Sequence, residues 1–367
     1  MKLLIILPLE PWFKGGVENV VKEYSRYLRK NHELTLLCTG ASMKKSMKKK
    51  IWMGIPVIIF KSYGGILRIS PKLVWYVRRI GKNFDLVVIH NYSTLLPAQV
   101  IWFKKEIPIP VVLTPHFHTQ GSTTLLKVFR SIYDPFFKKI FLKRIDAVQF
   151  VSRTEKAEFT RKFSVKVPYK VIYNGINVER FTKIEKEQKE AEEKIILCAG
   201  RIEKYKNIQY MVRTLQYLPE EFKLVIIGTG SYEKKLKKLV LKLNMENRVK
   251  FLGSVGDQEY DKWLRKSGIY VQPSKIESFG LTTIEAVASG IRSIVNIQAY
   301  GLKEVQGLFP NEIIGLEMVK GKERDLVETI KKYINERASN ESIKKLDWTY
   351  QGKKLEDFYK KMQFLSE

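Results

Sequence analysis

The stretch IILCAGRIEKYKNIQYMVRTLQYLPEEFKLVIIG, residues 195–228, alternates apolar runs with a helix-like segment. Runs rich in aliphatic residues at Ile195–Ala199 and Lys223–Ile227 predict buried strands, and Ile208–Leu215 between them predicts a helix. A helix that joins two strands carries the chain back across the sheet, so the two strands run parallel. The stretch therefore predicts one α/β unit.

The same alternation extends in both directions along the chain. Further strands are predicted at Lys2–Leu7, Leu34–Cys38, Val57–Phe60, Leu86–His90, Val111–Thr114, Ala147–Val151, Val249–Leu252, Ile269–Gln272 and Ser293–Val295. Further helices are predicted at Val17–Lys30, Val74–Ile80, Thr94–Lys105, Thr123–Lys143, Tyr232–Leu243, Gln258–Lys266, Leu281–Ser289, Arg324–Asn335 and Trp348–Phe364. Apolar strands that alternate with helices indicate an α/β fold, with doubly wound parallel sheets covered on both faces.

The length and one charged segment divide the chain into two domains. A chain of 367 residues suggests two domains, at ~100–200 residues each. The segment TKIEKEQKEAEEK, residues 182–194, is almost wholly charged or polar and predicts a linker. We therefore expect one doubly wound domain over 1–181, another over 195–345, and an amphipathic helix over 346–367 that packs back toward the first domain. Ligands would lie in a cleft between the sheets, beyond the carboxyl ends of the strands.

The chain carries 66 Lys and Arg residues against 38 Asp and Glu residues, a net charge of +28. The excess is uneven, because residues 1–173 hold 31 basic and 10 acidic residues, and residues 174–367 hold 35 and 28. A basic first half indicates an anionic partner: a nucleic acid, a phosphorylated ligand or an anionic membrane surface. A solvated lysine-rich surface would give the same count.

The composition excludes several classes of protein. Hydrophobic residues make up 44% of the chain, which excludes global disorder. The two cysteines, Cys38 and Cys198, allow one disulfide at most and favour a reducing, cytoplasmic location. With four histidines, they leave little material for a structural zinc site. The uncharged stretches 86–103 and 107–126 contain prolines and polar residues, so neither predicts a transmembrane helix.

Two segments offer contacts for phosphate. Gly15 and Gly16 separate the first strand from the first helix, where glycine lets the backbone approach an anion at the helix N-terminus. A tight turn explains this pair as well. Gly200–Asn207 follows a predicted strand and carries Arg201 and Lys206, two cations suited to a diphosphate. A solvated basic loop is the alternative for that segment.

A third segment, Pro273–Ala286, places Glu277 in a loop and Glu285 on the helix that follows. Backbone amides around Phe279–Thr282 would point from the helix N-terminus toward a phosphate. Carboxylates accept charge-assisted hydrogen bonds from vicinal hydroxyl groups, so the two glutamates suit a sugar or a ribose.

These three segments belong to a longer series of motifs. The series comprises Gly15-Gly16, Thr114-Pro115-His116, Asp146–Ser152, Asn174–Phe181, Gly200–Asn207, Ile227–Gly230 and the pair Glu277 and Glu285. It resembles the retaining glycosyltransferases of glycosyltransferase group 1, family 4, over nearly the whole chain. The resemblance implies the GT-B fold of that family, in which two Rossmann-like domains face a central cleft. It also implies that 1–181 is the acceptor domain and 195–345 the nucleotide-sugar domain.

The resemblance implies roles for individual residues. The catalytic residues would be His116, beside the transferred sugar, and Glu277, on the sugar hydroxyls. The donor-binding residues would be Gly15, Gly16, Arg201, Lys206, Ser278, Phe279, Gly280, Leu281 and Glu285. Arg201 and Lys206 would neutralise the diphosphate, and Glu285 would bind the ribose. The alternative for His116 is a satisfied histidine at a strand end, and we expect His90 to be structural.

The resemblance also implies a mechanism, in which front-face attack retains the anomeric configuration and a leaving phosphate oxygen takes the acceptor proton. The chain contains no Asp-x-Asp motif, so we expect no metal on the diphosphate and no cofactor. A metal pair formed by His116 and His118 is conceivable, but the sequence offers it no further ligands. The segments Ser289–Arg292 and Tyr300-Gly301 depart from the family pattern near the expected position of the donor sugar or base.

Two segments of the basic half suit a membrane surface. Met43–Trp52 and Leu125–Arg144 mix basic residues with aromatic or other apolar ones, a combination typical of contact with anionic lipid. We therefore expect a lipid-linked acceptor, such as a polyisoprenyl-phosphate glycan, or another glycoconjugate, at the cytoplasmic face of a membrane. In the alternative interpretation the aromatic residues belong to the core and the lysines are merely solvated.

Two other classes of function stay open at this point. A nucleotide-sugar 2-epimerase can have the same fold, although Glu277 and Glu285 together with the Arg201 and Lys206 loop favour a transferase. A non-enzymatic basic protein that binds nucleic acid or membrane would also explain the charge. The sequence shows no recognition helix, zinc finger or RNA-binding sheet signature, so we expect no specific nucleic-acid partner.

Overall fold

The computed structural model of the chain describes residues 1–13, 15–40, 43–117, 124–184, 194–339 and 341–363, with the backbone alone for 124–128. Its strands are β1 Lys2–Ile6, β2 Glu33–Gly40, β3 Met47–Trp52, β4 Ile55–Lys61, β5 Leu86–His90, β6 Val111–Thr114, β7 Ala147–Phe150, β8 Tyr169–Val171, β9 Lys194–Ala199, β10 Phe222–Ile227, β11 Val249–Gly253, β12 Ile269–Gln272, β13 Ser293–Asn296 and β14 Ile313–Leu316. Its helices are α1 Gly16–Leu28, α2 Pro71–Ile80, α3 Leu96–Trp102, α4 Thr124–Phe136, α5 Arg153–Phe163, α6 Val178–Thr182, α7 Ile208–Thr214, α8 Glu233–Lys242, α9 Asp257–Lys266, α10 Leu281–Ala288, α11 Tyr300–Leu308, α12 Glu323–Tyr333 and α13 Trp348–Gln363. This alternation confirms the predicted α/β class.

The first sheet has eight strands in the order β3-β4-β2-β1-β5-β6-β7-β8. Among the described strands, its neighbours pair in parallel except for β3 and β4, which are antiparallel. The chain passes from β1 to β2 on one side and later reaches β5 on the other side of β1. The strand order therefore reverses between β1 and β5, which is where doubly wound sheets bind ligands.

The second sheet has six strands in the order β11-β10-β9-β12-β13-β14, and each neighbouring pair is parallel. Its central strands are buried on both faces, as the mainly apolar run of β12 illustrates, whereas the edge strands β11 and β14 are only partly buried. The strand order reverses between β9 and β12, so the loops that follow these two strands lie at the switch point.

The sheets belong to two compact units. One unit comprises Met1–Gly175 together with Trp348–Glu367, and the other comprises Ile176–Asp347. The division thus falls between Gly175 and Ile176, ahead of the expected boundary at 181, and α6 groups with the second unit. Most of the predicted linker lies outside the described residues, because they omit 185–193.

The helix α13 is part of the first unit and packs against α1. Leu355, Phe358 and Tyr359 bury their side chains in one apolar cluster with β1 and β2. A Cβ atom at Gly352 would lie 2.5 Å from the Tyr27 ring, so the two helices approach closely at this point. The apolar face of α13 therefore completes the core of the first unit.

The sequence prediction does not include β8, β14, α5, α6 and α11, and it differs from the structure at two further elements. Met47–Trp52, which lies in the predicted basic surface segment, forms the edge strand β3. The helix predicted to reach Lys143 ends as an α-helix at Phe136 and continues as a π-helical turn over Phe137–Phe141. Pro135 lies just before this change, and proline interrupts regular helix hydrogen bonding because it has no N–H group.

Candidate active site

The loops Gly200–Asn207 and Pro273–Gly280 follow the adjacent strands β9 and β12 in the second unit. The main-chain N–H of Lys275 donates to the carbonyl oxygen of Tyr205 at 2.9 Å and ties one loop to the other. A small pocket between the loops is lined in part by Ala199, Gly200, Arg201, Lys206, Gln272, Pro273 and Ser274. The fold thus brings together two segments that lie about seventy residues apart in the sequence.

Lys206 and Glu277 are in direct contact at this switch point. The Nζ atom of Lys206 forms an ion pair with Oε2 of Glu277, and Nε2 of Gln272 donates to the same oxygen at 3.0 Å. The Lys206 and Glu277 side chains are only 14% and 17% exposed, so water screens the pair weakly. The residues predicted to meet the diphosphate and the sugar therefore form one polar cluster.

Gln272 holds Glu277 in place from the interior of the second unit. Its Oε1 atom accepts a hydrogen bond from Oγ1 of Thr282 at 3.0 Å, and Thr282 in turn accepts from the Tyr270 hydroxyl at 2.8 Å. These bonds fix which end of the buried amide faces Glu277. The sequence does not predict this role of Gln272, because a glutamine at a strand end has no pattern of its own.

The N-terminus of α10 follows directly after Glu277. Gly280 caps the helix with a φ of +76°, a left-handed conformation that favours glycine. The side chain of Phe279 is buried, Ser278 is exposed, and Leu281 begins the helix. The buried Phe279 therefore anchors the start of α10, where the helix dipole favours an anion.

Gly301 is the glycine that remains in the segment Tyr300-Gly301, which departs from the family pattern. A Cβ atom at this position would collide with the carbonyl oxygen of Glu277 and lie 2.6 Å from the carbonyl carbon of Ser278. The start of α11 thus packs directly against the backbone of the loop Pro273–Gly280, which we call the glutamate loop. Only a residue without a side chain fits this contact.

Glu285 lies on α10, where its Oε2 accepts a hydrogen bond from the Tyr260 hydroxyl at 3.0 Å. Burial raises the pKa of Glu285 to about 7, against the opposing effects of this hydrogen bond and of the positive charge of Arg180. Arg180 is itself held by Asp261 through two hydrogen bonds of 3.1 and 2.7 Å. Near neutral pH, hydroxyl groups that donate to Glu285 would therefore favour its ionised form.

Two residues around Glu285 were not proposed from the sequence. Arg180 lies within the quoted motif Asn174–Phe181, so a signal for it was present. Tyr260 lies on α9 without a motif, and only the fold brings it to Glu285. Arg201, in contrast, is exposed, and its guanidinium donates to the Tyr205 hydroxyl at 3.1 Å.

In the first unit, Gly15 and Gly16 lie at the start of α1 and have different surroundings. A Cβ atom at Gly16 would meet no described atom within 4 Å, whereas one at Gly15 would collide with the carboxylate of Glu18. Burial raises the pKa of Glu18, opposed by a hydrogen bond from its own backbone and by the charge of Arg68. No described side chain therefore crowds Gly16, and Gly15 makes room for the buried carboxylate of Glu18, which has no pattern of its own in the sequence.

His116 is connected to the interior of the first unit through His90. The two imidazole rings stack with centroids 5.2 Å apart, and Nδ1 of His90 lies 2.9 Å from Nε2 of His116. The other nitrogen of His90, Nε2, is hydrogen-bonded to the Tyr24 hydroxyl. Burial, reinforced by the nearby His116, lowers the pKa of His90 well below its ordinary value. His90 is therefore neutral, and one of its nitrogens donates while the other accepts.

The backbone beside His116 is also fixed. His116 itself has a φ of +48°, an uncommon left-handed conformation for a residue with a side chain. Oε1 of the buried Glu155 accepts from the main-chain N–H of Phe117 at 2.6 Å, and its Oε2 accepts from that of Val151 at 2.6 Å. The conceivable metal pair of His116 and His118 includes His118, which lies outside the described residues.

Within the described ranges, no group of three or more His, Cys, Asp or Glu residues could hold a metal ion. No helix in those ranges combines the length and the hydropathy of a membrane span.

The structure supports the alternative interpretation of Leu125–Arg144, in which most of its aromatic residues belong to the core. Tyr133 and Phe137 are buried in the core of the first unit, and Phe129 and Phe141 are partly buried against it. Phe136 is exposed. Most of these rings therefore lie on the core face of an amphipathic helix, which explains the aromatic content without a membrane. In the other segment, β3 exposes Lys48, Lys49, Lys50 and Ile51.

Two family models match the chain in succession. Residues 14–180 match the model of glycosyltransferase family 4, and residues 179–354 match that of glycosyl transferases group 1. The two matches meet near the division between the units and together include all the proposed site residues.

Relatives and solved structures agree with these matches. The chain is 28% identical over 306 residues to alpha-monoglucosyldiacylglycerol synthase of Streptococcus pneumoniae, which covers 76% of the chain and 67% of that protein. It is 26% identical over 298 residues to phosphatidyl-myo-inositol mannosyltransferase of Mycobacterium leprae, with 79% and 77% covered. Its fold is similar to that of sucrose-phosphate synthase of Thermosynechococcus elongatus, with a TM-score of 0.77, 17% identity and all of both chains covered.

Proposed function

Because the chain belongs to the glycosyltransferase group 1 enzymes of family 4, which have the GT-B fold, we propose that it is a retaining, metal-independent glycosyltransferase. It takes a sugar from a nucleotide-sugar donor and passes it to a lipid-linked acceptor at the cytoplasmic face of a membrane. We expect any binding to nucleic acid to be independent of sequence.

The Lys206–Glu277 pair at the switch point is the observation that carries the proposed donor site. When a donor binds, Lys206 turns its charge to the diphosphate, and Glu277 accepts hydrogen bonds from the sugar hydroxyls. Gln272 keeps Glu277 aimed at the sugar throughout, because its amide is fixed from the interior. Arg201 adds a second cation at the mouth of the same loop, and the α10 N-terminus adds backbone amides.

Glu285 supports binding of the nucleoside part. It is one of the two glutamates in the family motif, and its carboxyl group is partly buried beside Tyr260. A ribose offers two neighbouring hydroxyl donors, which can replace water around the ionised carboxylate. In the first unit, Gly16 keeps its predicted role in donor binding, and a Cβ atom there would meet no described atom within 4 Å.

The transfer itself is a substitution at the anomeric carbon of the donor sugar. The bond from that carbon to the diphosphate oxygen breaks, and its electron pair leaves with the nucleoside diphosphate. The acceptor hydroxyl oxygen forms the new bond on the same face, and its proton passes to the departing phosphate oxygen. The cations of Lys206 and Arg201 stabilise the negative charge that develops on the leaving group, the task for which other transferases use a metal.

The names of two relatives support a lipid acceptor. One is a synthase of alpha-monoglucosyldiacylglycerol, and the other is a mannosyltransferase for phosphatidyl-myo-inositol. The basic excess in residues 1–173 suits the anionic surface on which such acceptors lie.

Nucleotide binding and sugar transfer test the proposal separately. A nucleoside diphosphate with the correct base should raise the melting temperature of the protein, with and without EDTA, because it binds only the folded state. Lys206→Ala should abolish this shift, whereas Lys204→Ala, an exposed lysine of the same loop, should preserve it. Glu277→Gln should keep the shift but lose transfer of radiolabelled sugar to a lipid extract.

Other outcomes would contradict parts of the proposal. Loss of activity in EDTA that Mg²⁺ or Mn²⁺ restores would contradict metal independence, and inversion of the anomeric centre in the product would contradict retention. Isomerisation of the nucleotide sugar without an acceptor would identify a 2-epimerase instead. No shift with any nucleoside diphosphate would contradict an active donor site.

A further inference from the structure

The first unit carries an apolar groove between α2, α3 and the π-helical turn that follows α4. Its volume of about 570 Å³ is within the range of small-molecule sites, roughly 300–1,000 Å³. Most of its lining is hydrocarbon or aromatic ring, contributed by Val74, Trp75, Leu95, Ala98, Trp102, Phe103 and Phe141, among others. The groove therefore offers a binding surface for a hydrophobic ligand and few polar contacts.

Two exposed indole rings border this groove. Trp75 is 53% exposed and Trp102 is 50% exposed, although both are among the largest apolar side chains of the protein. The Trp102 ring also packs against Phe141, with centroids 6.1 Å apart. Contiguous apolar surface of this kind is unfavourable in water and marks an interaction site.

Arginine side chains border the same rings. The guanidinium of Arg79 lies 5.5 Å from the Trp75 ring centroid, and that of Arg144 lies 5.0 Å from the Trp102 ring centroid. Arg144 also donates to the main-chain oxygen of Trp102 at 2.8 Å, which holds its charge at the rim. Of the neighbouring charges, Glu106 is engaged by Arg78, whose Nε donates to it at 2.6 Å. The rim therefore presents positive charge around an apolar floor.

This arrangement matches one class of ligand. Indole rings lie at the boundary between water and hydrocarbon, and each cation near an anionic bilayer strengthens binding to it. A lipid has both parts, since its hydrocarbon chain suits the groove and its phosphate suits the arginines. A soluble nucleotide or sugar would leave the apolar lining exposed to water.

We propose that the groove between α2 and α3 binds one hydrocarbon chain of an anionic membrane lipid, with the lipid phosphate at Arg79 and Arg144. The inference rests on the proposed function in one respect: the lipid bound in the groove belongs to the membrane that carries the acceptor. The hydrocarbon chain enters the groove beside Trp75 and Trp102, whose rings then lie at the boundary between the lipid headgroups and the hydrocarbon.

Tryptophan quenching tests the proposal on the full chain. Vesicles of phosphatidylglycerol and phosphatidylcholine with brominated acyl chains should quench the protein fluorescence, because bromine quenches an indole only at close range. The double variant Trp75→Phe/Trp102→Phe should still bind these vesicles, since phenylalanine keeps the apolar rim, but most of the quenching should be lost. Trp12→Phe, an exposed tryptophan beside the lysines of β3, is the matched control and should keep the quenching.

A second variant tests the groove by charge. Trp75→Glu/Trp102→Glu should weaken vesicle binding about tenfold or more, because it places carboxylates where the lipid chain and phosphate would lie. Ile51→Glu, at an exposed position on β3, should have a much smaller effect. Quenching that persists in the double phenylalanine variant, or equal losses in both glutamate variants, would overturn the proposal. Binding of glycerol phosphate and of short-chain phosphatidylglycerol distinguishes the contribution of the phosphate from that of the hydrocarbon chain. Tight binding of glycerol phosphate alone would also overturn the proposal.

The same proteins separate this inference from the proposed function. Nucleoside-diphosphate binding is measured by thermal shift in each variant. A protein that binds nucleotide but shows no quenching contradicts the groove alone. A protein that shows quenching but binds no nucleotide contradicts the transferase alone.

Discussion

At the scale of single residues, the contact between His90 and His116 extends from the surface of the first unit to its interior. We expect His90→Phe to lower kcat about tenfold, the rate equivalent of one hydrogen bond, because the ring still packs against His116 but no longer bonds to it. The donor KM should change little. Steady-state kinetics would measure both.

Tyr24→Phe is the matched control for His90. It removes the other hydrogen bond of His90 and leaves the contact with His116 in place. Its effect on kcat should therefore be smaller than that of His90→Phe. Unchanged kcat in His90→Phe would show that His116 needs no support from His90.

Gly16 provides a test in which stability and function should move in opposite directions. Gly16→Ala adds a methyl group where no described atom lies within 4 Å, and alanine is a better helix residue than glycine. We expect unchanged or increased resistance to urea together with weaker binding of the donor nucleotide. Gly307→Ala is the control, because Gly307 also lies on a helix with no described atom within 4 Å. Unaltered nucleotide affinity in Gly16→Ala would remove Gly16 from the donor site.

Glu285 should make nucleotide affinity depend on pH. Its pKa of about 7 means that a rise from pH 6 to pH 8 ionises the carboxyl group, and the ionised form accepts more strongly from hydroxyls. Affinity should therefore increase with pH and level off above 8. Isothermal titration of the nucleoside diphosphate across this range measures the effect, and Glu285→Gln should flatten it.

The same group has the opposite effect on the stability of the free protein. Because burial raises the pKa of Glu285 from 4.5 to about 7, the folded state binds more protons than the unfolded state between these values. Its contribution to stability therefore falls as the pH rises through this range. Glu285→Gln should reduce that decline in urea titrations, and an unaltered decline would assign it to other groups.

At this scale, the charged residues of the motifs could be predicted from the sequence, but the residues that hydrogen-bond to them could not. Lys206 and Glu277 were named because cations and carboxylates near a sheet edge have an evident chemistry. Gln272 and Tyr260 act through hydrogen bonds to those residues, and such bonds exist only after distant strands and helices have packed.

At the scale of elements, the glutamate loop depends on its neighbour α11. We expect Gly301→Ala to displace the backbone at Glu277 and Ser278, because the added methyl group would overlap main-chain atoms that cannot rotate away. Sugar transfer should fall at least about tenfold, with a smaller loss of nucleotide affinity, since Glu285 lies further along α10. Transfer assays and thermal shift measure the two effects. Gly307→Ala on the same helix is again the control, and normal transfer in Gly301→Ala would contradict this packing role.

The predictability of each element follows from its surroundings. Leu86–His90, Val111–Thr114 and Ile269–Gln272 were predicted with their observed bounds, because strands buried on both faces form unbroken apolar runs. The edge strand β3 was missed, because its exposed lysines carry no apolar alternation and only backbone pairing with β4 makes it a strand. The π-helical turn at Phe137–Phe141 was missed for a related reason, since its side chains keep a helical pattern.

At the scale of the whole molecule, the charge of +28 should make membrane association sensitive to salt. Between 0.05 and 0.3 M NaCl, the dissociation constant for anionic vesicles should rise about tenfold, because screening shortens the reach of each lysine to below ~10 Å. Sedimentation with vesicles at several salt concentrations measures this. Affinity for vesicles of pure phosphatidylcholine should be weak at every concentration, and salt-independent binding to anionic vesicles would contradict an electrostatic contribution.

The sequence predicts the class of the two-domain fold but not the exact boundary between the two units. Alternating strands and helices predict two doubly wound sheets, because few other architectures cover both faces of parallel strands. The exact division between Gly175 and Ile176 depends on α6, a short helix that packs with α10 in the second unit. A charged segment in the sequence indicates where the chain is exposed to water. The boundary between the units depends instead on which elements pack together.

The helix α13 has a consequence for the order in which the protein is made. Its buried face completes the first unit, yet the ribosome synthesises it only after all of Ile176–Asp347. Until then, the nascent first unit exposes the apolar surface of α1 that Leu355 and Phe358 later cover. The second unit can fold as a continuous segment, so it should reach its native state during translation before the first unit does.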